Sequence, residues 1–167
     1  MFTMDLFAGI DEEIIRKTMK GIHANLERVA VKYCCNKHVA KHFACSDEYL
    51  QNRIYAENKK MATSFYDDNA KTLVAIFTEV MNHNWHLIKA FLRKEENSLT
   101  IFWDFNKSLG FGYKAGIQGV FEDLHMVQMG ITKRENSDYG FVITTAYLVI
   151  TDDAAHDESV EWLREEA

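Results

Sequence analysis

The stretch GFVITTAYLVI, residues 140–150, decides the fold class because its polarity alternates with a period of two. In a β-strand, successive side chains point to opposite faces of the sheet. The even-numbered residues from Val142 to Ile150 are nearly all apolar and are expected to form the core face. The other face then carries Thr145 and Tyr147 side by side, roughly 7 Å apart. A hydroxyl and a phenol presented together can bind a phosphate and transfer a proton, or can be a pair selected for sheet packing.

Three more stretches are also rich in aromatic and branched residues: HLIKAFLRK (86–94), SLTIFWDF (98–105) and LHMVQMGITK (124–133). They are predicted to be strands. Polar or glycine-bearing turns separate them, among them NKSLGFGYKAGIQG (106–119), which we interpret as a hairpin loop. Because the connections are short, antiparallel pairing is favoured over βαβ crossovers.

The N-terminal half is predicted to be helical. Apolar residues such as Ile10, Ile14, Met19 and Ile22 recur at spacings of three to five and predict a helix over about 11–34. Ser46 is an expected N-cap for a second helix over about 47–60, and a third is predicted over about 67–82. Helices followed by strands predict an α+β fold, with N-terminal helices packed on a twisted antiparallel β-sheet. We expect one domain over residues 1–151 and an acidic tail over 152–167.

The charge is unevenly distributed. The formal net charge is −6, and the tail after Thr151 alone holds seven acids and one arginine. Residues 1–151 are therefore neutral, and Arg28, Lys32, Lys37 and Lys41 form a basic run that leads into His42. A polyanionic partner is thus possible locally. The sequence shows no signal peptide and no apolar run long enough to cross a bilayer.

The three cysteines are Cys34, Cys35 and Cys45, an odd number without metal-binding spacing. Reduced structural thiols are the favoured interpretation, and a link between Cys35 and Cys45 is left open. His83 and His86 lack further ligands at suitable spacing, so no metal site is predicted. Trp103 and Phe105 are candidates for base stacking or for the core.

His42 and Arg53 are the candidate pair for chemistry. Each alone is explained as a surface residue, His42 before the capped helix and Arg53 on it. Together they match what phosphodiester cleavage by a neighbouring 2′-hydroxyl requires: a group that titrates near neutral pH and a fixed cation for the phosphoryl oxygens. His38, four residues before His42, is a candidate substrate contact, and so is Lys41.

These residues carry a family resemblance. HFACSDEYLQNRI (42–54) resembles the histidine-to-arginine motif of bacterial ribonuclease toxins related to the pancreatic ribonuclease A superfamily, found as C-terminal domains of contact-dependent growth inhibition proteins. ATSFYDDNA (62–70) is similar to the segment that opens the family's next helix, and GFVITTAY (140–147) to its closing strand. The resemblance spans about residues 36–148.

The resemblance implies a ribonuclease A-like fold and a metal-independent ribonuclease without cofactor. His42, Arg53, Thr145 and Tyr147 would form its catalytic site. His42 would be the general acid or base and Arg53 would hold the scissile phosphate. Thr145 would hydrogen-bond the phosphate or the base, and Tyr147 would donate a second proton or position the substrate. The product would be a 2′,3′-cyclic phosphate. RNA and a cognate immunity protein are the implied partners, the cytoplasm of a target bacterium is the implied place of action, and the free domain is expected to be monomeric.

The sequence departs from the family pattern at Leu148, where proline is usual, at Phe91, where tryptophan is common, and in its acidic tail. Two alternatives stay open at this stage. One is a catalytically inactive RNA- or protein-binding module of the same fold, and the other is an acidic immunity-type binding protein.

Overall fold

The computed structural model describes residues 6–151, except for the side chain of His38, and the acidic tail lies outside this range. The α-helices are α1 Glu12–His23, α2 Leu26–Cys34, α3 Asp47–Ala56, α4 Ala70–His83 and α5 Trp85–Leu92. A 3₁₀ helix, Lys37–His42, precedes α3. The strands are β1 Met61–Phe65, β2 Ser98–Asp104, β3 Gly110–Lys114, β4 Phe121–Leu124, β5 Met126–Lys133 and β6 Phe141–Val149. Within the described range, no helix is both long and apolar enough to span a membrane.

The predicted α+β class is confirmed, with two three-stranded antiparallel sheets in place of one. One sheet has the strand order β1-β3-β4 and the other the order β2-β5-β6. The described chain forms two compact units. The first comprises residues 6–39, 69–103 and 129–146, and the second comprises residues 40–68, 104–128 and 147–151. The single domain over 1–151 stays a prediction.

In the first unit, α2 packs against α4. The rings of Tyr33 on α2 and Phe77 on α4 meet edge to face, with centroids 5.5 Å apart. The Tyr33 hydroxyl accepts a hydrogen bond from the backbone N–H of Ala146 at 2.9 Å. Burial raises the pKa of Tyr33, so this phenol is protonated in the folded chain. The helix predicted over about 67–82 is confirmed as α4.

The helix predicted over about 11–34 is wrong in extent, because α1 ends at His23 and α2 begins at Leu26. The side chain of Asn25 donates to the carbonyl of Gly21 at 2.8 Å. Short polar side chains of this kind compete with backbone hydrogen bonds and interrupt helices. The predicted inner face of α1 is also wrong in part, because Ile14 is 56% exposed and the buried face is formed by Ile15, Met19 and Ile22.

The strand predicted over residues 86–94 is also wrong, since these residues form most of α5. Ile88, Phe91 and Leu92 are its buried residues, and their spacing of three and one is that of a helix face. Asn84 lies at the junction of α4 and α5. Its side-chain amide donates to the carbonyls of Val80 and Phe102, each at 2.8 Å, and so uses a buried polar group to turn the chain.

In the second unit, the sequence did not predict the strands β1, β3 and β4. The ATSF segment, expected to open a helix, lies in β1, and α4 begins only at Ala70. The loop predicted over 106–119 contains β3, which pairs antiparallel with β1, Phe65 opposite Gly110. A Cβ on Gly112 would lie 2.7 Å from the carbonyl oxygen of Ala62. Glycine therefore permits β3 to approach β1 closely, and the same glycines suggested a loop.

We predict opposite effects of adding one methyl group at two glycines. Gly112→Ala forces β3 away from Ala62 and should lower the free energy of unfolding by about 1–3 kcal/mol. Gly21→Ala, in α1, is the matched control. The added Cβ has no atom within 4 Å, so this substitution should raise the free energy of unfolding by up to about 1 kcal/mol. Urea denaturation of both variants measures the difference. A Gly112→Ala chain as stable as the parent would contradict the close approach of the two strands.

Candidate active site

The segment that follows His42 is attached to the end of β1. Phe43 forms a parallel bridge with Phe65, and their rings meet edge to face at 5.8 Å. The N–H of Ala44 donates to the carbonyl of Phe65 at 2.9 Å, and that of Cys45 donates to the Ser64 hydroxyl at 2.8 Å. These bonds fix the backbone immediately after His42.

Helix α3 begins at Asp47, and Ser46 caps it by accepting from the N–H of Tyr49 at 3.2 Å. Asp47 in its first turn accepts a hydrogen bond from the hydroxyl of Tyr113 on β3. Leu50 is fully buried where α3 packs on β1 and β3. The helix that carries Arg53 is therefore held at its N-terminus and along its inner face.

Arg53 is one of the few buried charged residues, with 8% of its surface exposed. Its Nε donates to the carboxylate of Glu57 at 3.3 Å, and Glu57 is its ion-pair partner among the described residues. The guanidinium also acts on Cys45. Burial raises the pKa of the Cys45 thiol, and the positive charge of Arg53 opposes that rise. Arg53 thus lies close to the segment that follows His42.

Tyr147 lies on β6, and its ring stacks on that of His42 with centroids 5.6 Å apart and planes at 28°. The Nδ1 atom of His42 is buried. Burial raises the pKa of Tyr147, because the phenolate would lose more hydration than the neutral phenol. Two of the four predicted catalytic residues, which are 105 positions apart in sequence, are therefore neighbours.

Thr145 precedes Tyr147 by two residues on β6 and is half-buried. It belongs to the first unit, whereas His42, Arg53 and Tyr147 belong to the second. Its place in the site stays a prediction. Lys41 is exposed in the 3₁₀ helix next to His42, and the side chain of His38 lies outside the described part of the chain.

The predicted core face of β6 is wrong over its first half. Phe141 and Ile143 are buried and Thr144 is exposed, whereas beyond this point Ala146 and Leu148 are buried as predicted. Thr144 and Thr145 therefore lie together between the buried residues Ile143 and Ala146. The inward and outward alternation is shifted by one residue at this point, as in a β-bulge. On β5, Gly130 lies against both. The Thr144 hydroxyl donates to its carbonyl at 3.2 Å, and a Cβ on Gly130 would lie 2.9 Å from Thr145 Cγ2.

The sequence reading missed Thr63 and Ser64, the buried polar pair in β1. The Thr63 hydroxyl donates to the carbonyl of Leu148 at 2.6 Å, next to Tyr147, and Ser64 accepts from Cys45. Two hydroxyls inside an otherwise apolar segment were the available signal, since buried polar groups require partners.

The remaining candidates from the sequence are the cysteines, His83 and Trp103. All three cysteines are free thiols, so Cys35 and Cys45 are not linked, and burial raises the pKa of Cys34 to about 11. His83 stacks on Trp103 with centroids 3.6 Å apart. Its ring covers one face of the indole that the sequence offered for base stacking. Within residues 6–151, no three histidine, cysteine or acidic side chains are grouped to hold a metal ion.

A family model for the bacterial CdiA-CT RNase A domain matches residues 37–147, about two thirds of the chain. The chain belongs to this family. The match begins just before His42 and ends on Tyr147, so it contains all four predicted catalytic residues. The predicted resemblance is confirmed, and family membership assigns the chain to the ribonuclease toxin domains of contact-dependent growth inhibition.

The fold is also shared with a solved structure, a chain of the CdiA-CT/CdiI complex from Y. kristensenii 33638. The two are 22% identical and superpose with a TM-score of 0.62, over 69% of this chain and 100% of the other. No curated protein matches the chain significantly. The family and the fold are therefore known, and the roles of individual residues have to be argued from their surroundings.

We predict that Tyr147 makes the folded state sensitive to alkali. Its pKa is raised above the ordinary 10.0, so the stabilisation from the protonated phenol is complete below pH 10.0 and is lost as the pH rises towards the folded-state pKa. Tyr147→Phe should flatten the decline in unfolding free energy above pH 10.0. Tyr55→Phe is the matched control, because Tyr55 is 85% exposed. Equal alkaline slopes for both variants in urea denaturation would contradict the burial of Tyr147.

Proposed function

We propose that this domain is a metal-independent ribonuclease that cuts RNA by attack of the 2′-hydroxyl on the neighbouring phosphorus. The observation that carries the proposal is the contact between the rings of His42 and Tyr147, 5.6 Å apart. It pairs an imidazole, the side chain that enzymes use most often for proton transfer, with a phenol that stays protonated. Cleavage of this type requires one group to accept a proton and another to donate one.

Tyr147 is protonated at neutral pH, as a donor must be, and even with its raised pKa the phenol is a stronger acid than the alcohol whose oxygen leaves. In the proposed reaction, His42 takes the proton of the 2′-hydroxyl as the 2′-oxygen bonds to phosphorus. The bond from phosphorus to the 5′-oxygen then breaks, and Tyr147 gives its proton to that oxygen. The products are a 2′,3′-cyclic phosphate and a 5′-hydroxyl. DNA lacks the attacking hydroxyl and should not be cut.

Arg53 is proposed to hold the phosphate and stabilise the charge of the pentacoordinate state. Its Nε is engaged by Glu57, which orients the guanidinium and directs its two terminal nitrogens elsewhere. Those nitrogens form the planar fork that binds phosphoryl oxygens. A cation with 8% exposure acts in a medium of low dielectric constant, where its effect on a developing charge is largest.

Thr145 is proposed to hydrogen-bond the phosphate or the base, and Lys41 and His38 to contact the RNA backbone. Lys41 is exposed beside His42, as a residue that attracts a polyanion would be. We also propose that the domain is monomeric when free, acts in the cytoplasm of a target bacterium and is neutralised by an immunity protein. The fold shared with a chain from a CdiA-CT/CdiI complex supports the last point.

The first test is whether cleavage depends on His42 and needs no metal. The purified chain, incubated with total RNA in EDTA, should give fragments ending in 2′,3′-cyclic phosphate. His42→Ala should lower the rate about 10²- to 10⁴-fold. The matched control is His86→Ala, because His86 is an exposed histidine on α5. No cleavage by the parent chain, over a range of RNA substrates, would leave the inactive RNA- or protein-binding module as the explanation.

The second test separates the proton donor from the packing of its ring. Tyr147→Phe keeps the ring that stacks on His42 and removes the proton, so activity should fall about 10²- to 10⁴-fold with little change in thermal midpoint. Arg53→Lys tests the phosphate contact in the same assay, since lysine keeps the charge and loses the fork. Full activity of Tyr147→Phe would contradict the donor role.

A further inference from the structure

The first unit contains a concave pocket that the catalytic residues do not use. It has a volume of about 290 Å³ and lies between α2 and the start of β6, with the turn over residues 134–140 as its third side. Small-molecule sites in proteins are typically clefts of this kind, apolar at the base with a few polar groups. The proposed reaction gives this pocket no role.

The pocket is preformed by hydrogen bonds within its own walls. The N–H of Arg134 donates to the carbonyl of Gly140 at 2.9 Å, which closes the turn. Gly140 has a positive φ of 80°, a conformation that favours glycine. The ammonium of Lys32 on α2 binds the carboxylate of Asp138 in the turn at 2.6 Å. A ligand would therefore meet a shaped site without ordering a loop first.

The base of the pocket is apolar and its rim is polar. Tyr33, Phe141 and Ile143 are buried residues that line the base, and Tyr139 is half-buried. Thr144 is the exposed hydroxyl at the edge. This hydroxyl donates to the carbonyl of Gly130 at 3.2 Å and accepts from the hydroxyl of Thr132 at 3.5 Å, so its oxygen keeps one lone pair for a ligand. An apolar floor, with an aromatic ring and a hydroxyl at its side, suits a flat heterocycle with polar edges, such as a nucleobase.

The charge of the rim selects for an anion. The charge of Lys32 is balanced by Asp138. Arg134, by contrast, is exposed and has no ion-pair partner among residues 6–151. The lining thus carries one uncompensated guanidinium, whose planar fork matches phosphate oxygens. A pocket with one site for a heterocycle and another for a phosphate matches the two parts of a nucleotide.

We propose that this pocket binds one nucleotide of the RNA, with the phosphate on Arg134 and the base between Tyr139 and Thr144. The proposal rests on the proposed ribonuclease function for the identity of the ligand. It adds a second point of contact with the substrate, which would affect binding more than the chemical step. An acidic side chain of a protein partner is the competing occupant.

Binding is tested on the His42→Ala chain, which lacks the proposed proton acceptor. Uridine 3′-monophosphate and adenosine 3′-monophosphate are titrated against inorganic phosphate and uridine, with the backbone amide signals of Thr144 and Gly140 followed by NMR. The nucleotides should move these signals and bind more tightly than either fragment. Arg134→Gln should weaken nucleotide binding about 10- to 100-fold, and Thr144→Val should weaken binding of the base. Arg16→Gln, which removes another exposed arginine, should change neither.

Several results would overturn the proposal. They are inorganic phosphate binding as tightly as the nucleotides, no shift of the two amide signals, or unchanged affinity in Arg134→Gln. Binding of an acidic peptide but of no nucleotide would assign the pocket to a protein partner instead.

Kinetics on the catalytically intact chain separate the two proposals. Arg134→Gln should raise KM for RNA more than it lowers kcat. Cleavage of RNA with KM unchanged in this variant would refute the nucleotide pocket and leave the ribonuclease standing. Nucleotide binding at the pocket without any RNA cleavage by the parent chain would refute the ribonuclease and leave the pocket.

Discussion

Three consecutive residues of β1 determine where the proposed proton-transfer groups stand. Phe65 pairs with Phe43, the neighbour of His42, and Thr63 binds the carbonyl of Leu148, the neighbour of Tyr147. Ser64, between them, accepts the amide of Cys45. One short strand therefore positions two segments that are about 100 residues apart in sequence, and the stacking of His42 on Tyr147 follows from these bonds.

This arrangement requires buried polar groups to be satisfied. Thr63 is 3% and Ser64 1% exposed, so an unmade hydrogen bond at either would cost about 1–3 kcal/mol. It also requires space on the other side of β1, where β3 runs. A Cβ at Gly110 would collide with the carbonyl of Ser64 and with the side chain of Leu148. The close packing of β1 against β3 therefore depends both on the hydrogen bonds of Thr63 and Ser64 and on the absence of a side chain at Gly110.

The sequence predicted the parts of this fold that depend on local pattern. Three of these features could be predicted because their signals lie within a few residues: the cap at Ser46, the helix α4 and the strand β6. Residues 86–94 were wrongly predicted to be a strand, since a short apolar run does not distinguish a buried helix from a strand. The ladder between β1 and β3 was missed for a different reason. Its glycines are informative only when the opposing backbone is known.

The candidate site was predictable to a similar degree. Spacing offered His42, Arg53, Thr145 and Tyr147, and the family resemblance connected them, but neither could supply their surroundings. The raised pKa of Tyr147 and the near-complete burial of Arg53 both come from residues distant in sequence. No local pattern encodes the bond between Thr63 and Leu148, which are 85 residues apart.

The exclusion of water has opposite consequences for Tyr147 and Arg53. It raises the pKa of Tyr147, because a neutral phenol costs less to bury than a phenolate. For Arg53 the same exclusion is costly, since a guanidinium cannot lose its charge and a single carboxylate, Glu57, only partly offsets the desolvation. Packing alone would favour an apolar residue at position 53. The proposed phosphate contact of Arg53 accounts for this cost, because a bound anion would supply the missing counter-charge.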